Sequence, residues 1–171
     1  MTAVLSRHER PDNSVRDPAT RRWIQQAWMP EVTPTRDQLL TFAQTRIAEL
    51  TAADAPTQAV GWKPVHGPLA TFAIALLGTV INADDLATPQ VAPTPDGGLD
   101  IQWLVCGDSL EITFDVNEGI SIVGQYDNGN CAIDFDWDSG DDVEALYEAT
   151  VAAGTFLRKI STGIQHRLPI W

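Results

Sequence analysis

Apolar residues in this chain keep two different rhythms. From Asp17 to Ile81 they recur every three or four positions, from Leu99 to Trp137 they alternate, and from Asp141 onward the helical spacing returns. Asp17 as a cap and Pro18 in the first turn open a predicted helix whose stripe is Trp23, Ile24, Ala27 and Trp28, ended by Pro30. A second helix follows Thr35, which with Gln38 resembles a capping box, and its buried stripe is expected to be Leu39, Phe42, Ala43, Ile47 and Leu50. A Pro- and Gly-bearing loop from Thr51 to Pro68 releases a third helix over about Leu69–Ile81, apolar on nearly every side and therefore expected at the centre of the packing.

Alternation then predicts four antiparallel strands. Leu99, Ile101, Trp103 and Val105 form the first inward row, and Leu110, Ile112 and Phe114 the second, with Cys106-Gly107-Asp108-Ser109 as the turn between them. Ile120 to Tyr126 and Cys131 to Trp137 follow turns rich in Asp, Asn and Gly. A closing helix over about Asp141–Ile160 has Asp141 and Glu144 as a capping pair and Val143, Leu146, Tyr147, Val151, Leu157 and Ile160 as its expected buried stripe. Helices, then a meander, then a helix make an α+β domain with helices on one face of the sheet. With 44% hydrophobic residues the chain suits one domain over 17–171, preceded by a polar arm over 1–16 that lacks periodicity.

Charge sharpens this layout. From Pro64 to Leu157, 94 residues carry 16 aspartates and glutamates and no lysine or arginine, inside a chain of net charge −12. Such a field repels nucleic acid and anionic membranes and attracts basic surfaces. Because Ile133, Phe135 and Trp137 point inward, Asp134, Asp136 and Asp138 point outward, roughly 7 Å apart. Asp100, Glu111 and Asp115 share that outward parity. The six carboxylates are the candidate binding surface for a basic protein partner; their bland alternative is an ordinary solvated sheet face.

Candidate chemistry is otherwise thin. Asp134 to Asp138 begins like a calcium loop, but Ser139 stands where glycine is required and Ala145 where glutamate is, so no metal is expected, and no cofactor. His8, His66 and His166 are scattered, no serine or cysteine sits in a nucleophile motif, and Gly97-Gly98 has no phosphate-loop context. Cys106 and Cys131 read as cytoplasmic thiols, and Met1 to Leu5 does not begin a secretory signal.

The stretch from Gly61-Trp62 through the apolar helix to Pro93-Thr94-Pro95-Asp96-Gly97-Gly98 and Trp103 resembles a group of small uncharacterised bacterial proteins. In these a Gly-Trp loop precedes an apolar helix and the P-T-P-D-G-G turn opens a hairpin. The likeness covers about a third of the chain, and Lys63-Pro64-Val65-His66 departs from the acidic and aromatic residues that usually follow the Trp. It implies the helix-plus-meander arrangement and a bacterial or phage-related origin, and no activity.

Three functional expectations follow. The first is a non-enzymatic acidic protein of antitoxin, immunity, inhibitor or defence-accessory type. The second is an enzyme or small-ligand binder with its site around the Trp62–His66 loop. The third is an assembly subunit docking through Trp23, Trp28 and the Trp171 tail.

Overall fold

A computed structural model describes residues 34–52, 61–117 and 119–167, with side chains described through Thr162. The expected N-terminal arm over 1–16, the helix predicted to bear Trp23 and Trp28, and the tail with Trp171 lie outside the described residues. Three helices and five strands are seen: α1 (Arg36–Thr51), α2 (Gly67–Val80), β1 (Gln90–Pro93), β2 (Leu99–Val105), β3 (Asp108–Phe114), β4 (Ile120–Gln125), β5 (Cys131–Trp137) and α3 (Val143–Arg167). The strands form one antiparallel sheet in the order β1-β2-β3-β4-β5. All described residues fall in a compact unit spanning Thr33–Trp171.

The sheet has five strands where alternation predicts four. The extra one, β1, pairs Val91 with Ile101 and Pro93 with Leu99. Four residues bounded by prolines carry too little alternation to stand out, and Pro93 is tolerated because β1 is an edge strand. The turn between β2 and β3 is also tighter than expected. Only Cys106 and Gly107 form it, both at positive φ (53° and 96°), which is the two-residue hairpin geometry whose twist matches the strands. Asp108 thus belongs to β3; it is buried, and its carboxylate accepts the Asp127 N–H at 2.9 Å, tying two neighbouring turns together.

One face of the sheet meets the helices. Leu99, Ile101, Trp103, Leu110, Ile112 and Ile122 pack against Leu39, Ala43, Ile47 and Leu50 of α1, Ala73 and Leu77 of α2, and Ala153 and Leu157 of α3. Trp103 is wholly buried, as its place in the first inward row requires. Its indole Nε1–H has no hydrogen-bond partner.

Local signals set the helix starts. Thr35 accepts the Gln38 N–H while its own N–H donates to Gln38 Oε1, the reciprocal capping box expected from the sequence. For α3 the cap is Asp142, not Asp141: Asp142 Oδ1 accepts the Glu144 N–H at 2.9 Å, and Asp141 instead closes the preceding turn by accepting the Asp138 N–H. Arg36 joins α1 to α2. Its N–H donates to Asp84, and its guanidinium donates to the Ile81 and Gly78 carbonyls at 2.8 and 3.0 Å, satisfying acceptors that the end of α2 leaves open.

Two expected stripes are corrected. On α1, Phe42 is exposed. On α3, Leu146, Leu157 and Ile160 are buried as expected, but Val143, Tyr147 and Val151 are exposed, and the buried face runs instead through Thr150, Ala153 and Phe156. The apolar arc of α3 is wider than the sheet beneath it can cover. Nor is α2 central on every side, since Phe72 is also exposed. No helix among the described residues is long and apolar enough to cross a membrane.

Candidate functional site

The outer sheet face is built row by row by the strand register. One row runs Ala92, Asp100, Thr113, Ser121, Asp136, and the next runs Gln90, Gln102, Glu111, Val123, Asp134. Four of the six predicted carboxylates therefore share this face: Asp100 and Glu111 half-buried, Asp134 and Asp136 exposed. Across the strands neutral side chains separate them: at the usual spacing Glu111 and Asp134 stand about 10 Å apart and Asp100 and Asp136 about 14 Å apart, while along β5 Asp134 and Asp136 stand about 7 Å apart. At about 7 Å in water two charges repel by about 0.6 kcal/mol before salt screening. The Thr113 hydroxyl donates to Asp100 at 3.3 Å. Among the described residues no lysine, arginine or histidine lies within 4 Å of any of these four carboxylates.

Asp115 and Asp138 lie just past the ends of β3 and β5, and both approach Gly119: a Cβ there would meet Asp138 Oδ1 at 3.3 Å and the Asp115 Cβ at 3.6 Å. The Asp115 N–H donates to the Gly119 carbonyl at 2.8 Å, one step beyond the last paired residues of β3 and β4. Asp115 accepts the Asn117 N–H at 2.6 Å, which is a turn contact.

At this same end the two halves of the sequence resemblance meet. Lys63 N–H donates to the Pro95 carbonyl at 3.2 Å and His66 N–H to the Gly97 carbonyl at 3.1 Å, so the Gly-Trp loop lies along the P-T-P-D-G-G turn. Gly97 is at φ +100°, and a Cβ on it would stand 2.9 Å from the Pro64 carbonyl oxygen; the close approach requires glycine. In that turn the Thr94 hydroxyl donates to Asp96, holding its carboxyl below the ordinary aspartate range, with the turn's own N–H groups adding to the effect.

The loop delivers His66 to the rim of a cavity of about 260 Å³, whose walls include Leu69, Phe72, Phe114, Ile120 and Trp137, with Asp115 at its edge. His66 and Asp115 border one cavity without an ion pair between them at 4 Å or less. No serine, cysteine or lysine lines it. What the arrangement offers is apolar and aromatic surface with a carboxylate beside it. Trp62 is exposed on the outside of the loop and is not part of the lining.

Among the described residues no three His, Cys, Asp or Glu side chains converge as metal ligands. Cys106 and Cys131 are both free and exposed. Comparison with protein-family models, curated proteins and solved structures returns no match.

The cavity was only half foreseeable. The Trp62–His66 loop stands out in the sequence, but its partners Phe114, Ile120 and Trp137 come from three strand ends that only pairing brings together. Gly154, within an otherwise good helix, is a sequence signal of a close helix crossing: a Cβ there would stand 2.9 Å from the Val80 carbonyl oxygen.

Proposed function

We propose that this chain is a non-enzymatic acidic interaction protein, of antitoxin, immunity, inhibitor or defence-accessory type, that binds a basic protein partner through the outer face of its sheet. The observation that carries this reading is a single sheet face bearing Asp100, Glu111, Asp134 and Asp136, with no cation among the described residues paired to any of them. Unpaired, well-separated carboxylates on a rigid sheet cost little in the free protein and are available to guanidinium and ammonium groups, giving fast, salt-sensitive association. The same charge disfavours nucleic acid and anionic membrane as partners. A cytoplasmic setting fits the two exposed thiols.

The test begins with capture of the partner from an extract of the producing cells, followed by affinity measurement between purified components at rising salt. Asp134→Lys with Asp136→Lys should weaken the complex by at least tenfold, or about 1.4 kcal/mol, and flatten its salt dependence. A complex indifferent to both changes would remove the reading.

A further inference from the structure

We infer that the groove between α2 and α3 is a second interaction surface, and that it takes a basic amphipathic helix which places an apolar side chain in the cavity beside His66. This goes beyond the sheet-face reading and shares with it only the sign of the partner's charge.

The groove follows from how the two helices meet. They touch at Gly154, where a Cβ would stand 2.9 and 3.1 Å from the Val80 and Thr79 carbonyl oxygens. The start of α2, at Pro68, Leu69 and Phe72, lies beside Phe114 and Trp137 at the ends of β3 and β5, and α3 begins six residues after Trp137. Val143, Tyr147 and Val151 lie one to three turns before Gly154 on the same side of α3. Phe72 lies two turns before Thr79 on the matching side of α2. These walls are apolar yet open, with Phe72 42% exposed, Tyr147 62% and Val143 68%. Phe72 also lines the cavity bounded by Ile120 and Trp137, so the α2 wall is continuous with it.

An exposed apolar strip of this kind, rimmed by charge, is the form of a helix-binding groove. Its length on α3, from Val143 to Val151, is roughly 12 Å, enough for two turns of a bound helix. The rim selects the charge of that helix. Asp138, Asp141, Asp142, Glu144 and Glu148 are all exposed around the start of α3, Asp115 borders the cavity, and no lysine or arginine occurs between Pro64 and Leu157. A helix with leucine-like residues on one face and lysine or arginine on its flanks satisfies both walls and rim; an acidic one is repelled.

The probe is a synthetic helical peptide, about four turns long, of leucine and lysine with leucines at i, i+3, i+4 and i+7. Titrated into the full chain, it should bind with one-to-one stoichiometry and shift the amide resonances of Phe72, Ile120 and Tyr147. Tyr147→Ser with Val151→Ser, both at exposed positions and so expected to fold normally, should weaken it at least tenfold, whereas Asp134→Asn with Asp136→Asn should change it about twofold or less. Equal binding of a scrambled peptide of the same composition, or unchanged binding by the serine variant, would overturn the inference. So would equal binding of a leucine and glutamate peptide, or a peptide-free dimer that the serine variant disperses, since the occupant would then be a second copy of the chain. None of these outcomes touches the sheet-face reading, which stands or falls on Asp134 and Asp136 in the native complex.

Discussion

The outer sheet face and the groove between α2 and α3 carry the same negative sign but use it in opposite ways. On the sheet, Asp100, Glu111, Asp134 and Asp136 stand among Thr, Ser and Gln, with Ala92, Val123 and Leu104 as scattered apolar positions, so charge is the larger part of what the surface offers. In the groove, Phe72, Tyr147 and Val151 supply exposed apolar area and the carboxylates sit only around it. Charge on a solvated face mainly accelerates encounter and is weakened by salt; apolar area removed from water supplies affinity that salt leaves in place. A partner engaging both would dock fast through one surface and stay through the other.

The hardest way to break the comparison is from beneath. Trp103 is wholly buried under the sheet, so Trp103→Ala should cost about 3 to 5 kcal/mol and loosen both surfaces together. Trp103→Phe is the sharper variant: it loses packing but also removes an indole N–H that has no partner, and a buried unpaired donor costs about 1 to 3 kcal/mol. Chemical denaturation should place the phenylalanine variant well above the alanine one; equal losses would show that Trp103 acts by its hydrogen-bonding edge.

A smaller effect separates the two regions. Gly154→Ala puts a methyl against two backbone carbonyls that cannot swing aside, so it should cost about 1 to 3 kcal/mol and spread α2 from α3. Amide exchange should quicken along α2 while the β3 and β4 amides keep their protection. Uniform loss of protection would mean that the helices and the sheet open as one unit. Weaker still, Asp134→Asn with Asp136→Asn should change stability by about 0.5 kcal/mol or less, because both carboxylates are exposed and neither is paired among the described residues; a larger loss in thermal melts would place a partner on that face.

The smallest effect concerns pH. Asp96 has a folded pKa below its unfolded value, so its contribution to stability is present above the ordinary aspartate pKa of 3.8 and is lost as pH falls through the lower folded value. Thr94→Val removes the leading hydrogen bond, so a carboxyl-detected NMR titration should show the Asp96 midpoint rising toward the ordinary value. A midpoint that does not move would assign the effect to the turn's backbone N–H groups alone.

Much of this was readable in advance where the cause is local. The Thr35–Gln38 capping box needs only neighbouring residues, and the inward rows of β2 to β5 need only the period of two. The misses share one cause. β1 is a strand only because Ile101 and Leu99 lie beside it, and Val143, Tyr147 and Val151 look like core until the direction of approach of α2 is known.

The sequence by itself determined an acidic α+β chain with an antiparallel meander and its carboxylates on outward strand positions, because periodicity, caps and turns act over a few residues and need no distant partner. Only the tertiary structure decided which apolar residues stay uncovered. That depends on Gly154 admitting the end of α2, on Arg36 holding that end, and on three strand ends closing around His66, all of them contacts between residues far apart in the chain.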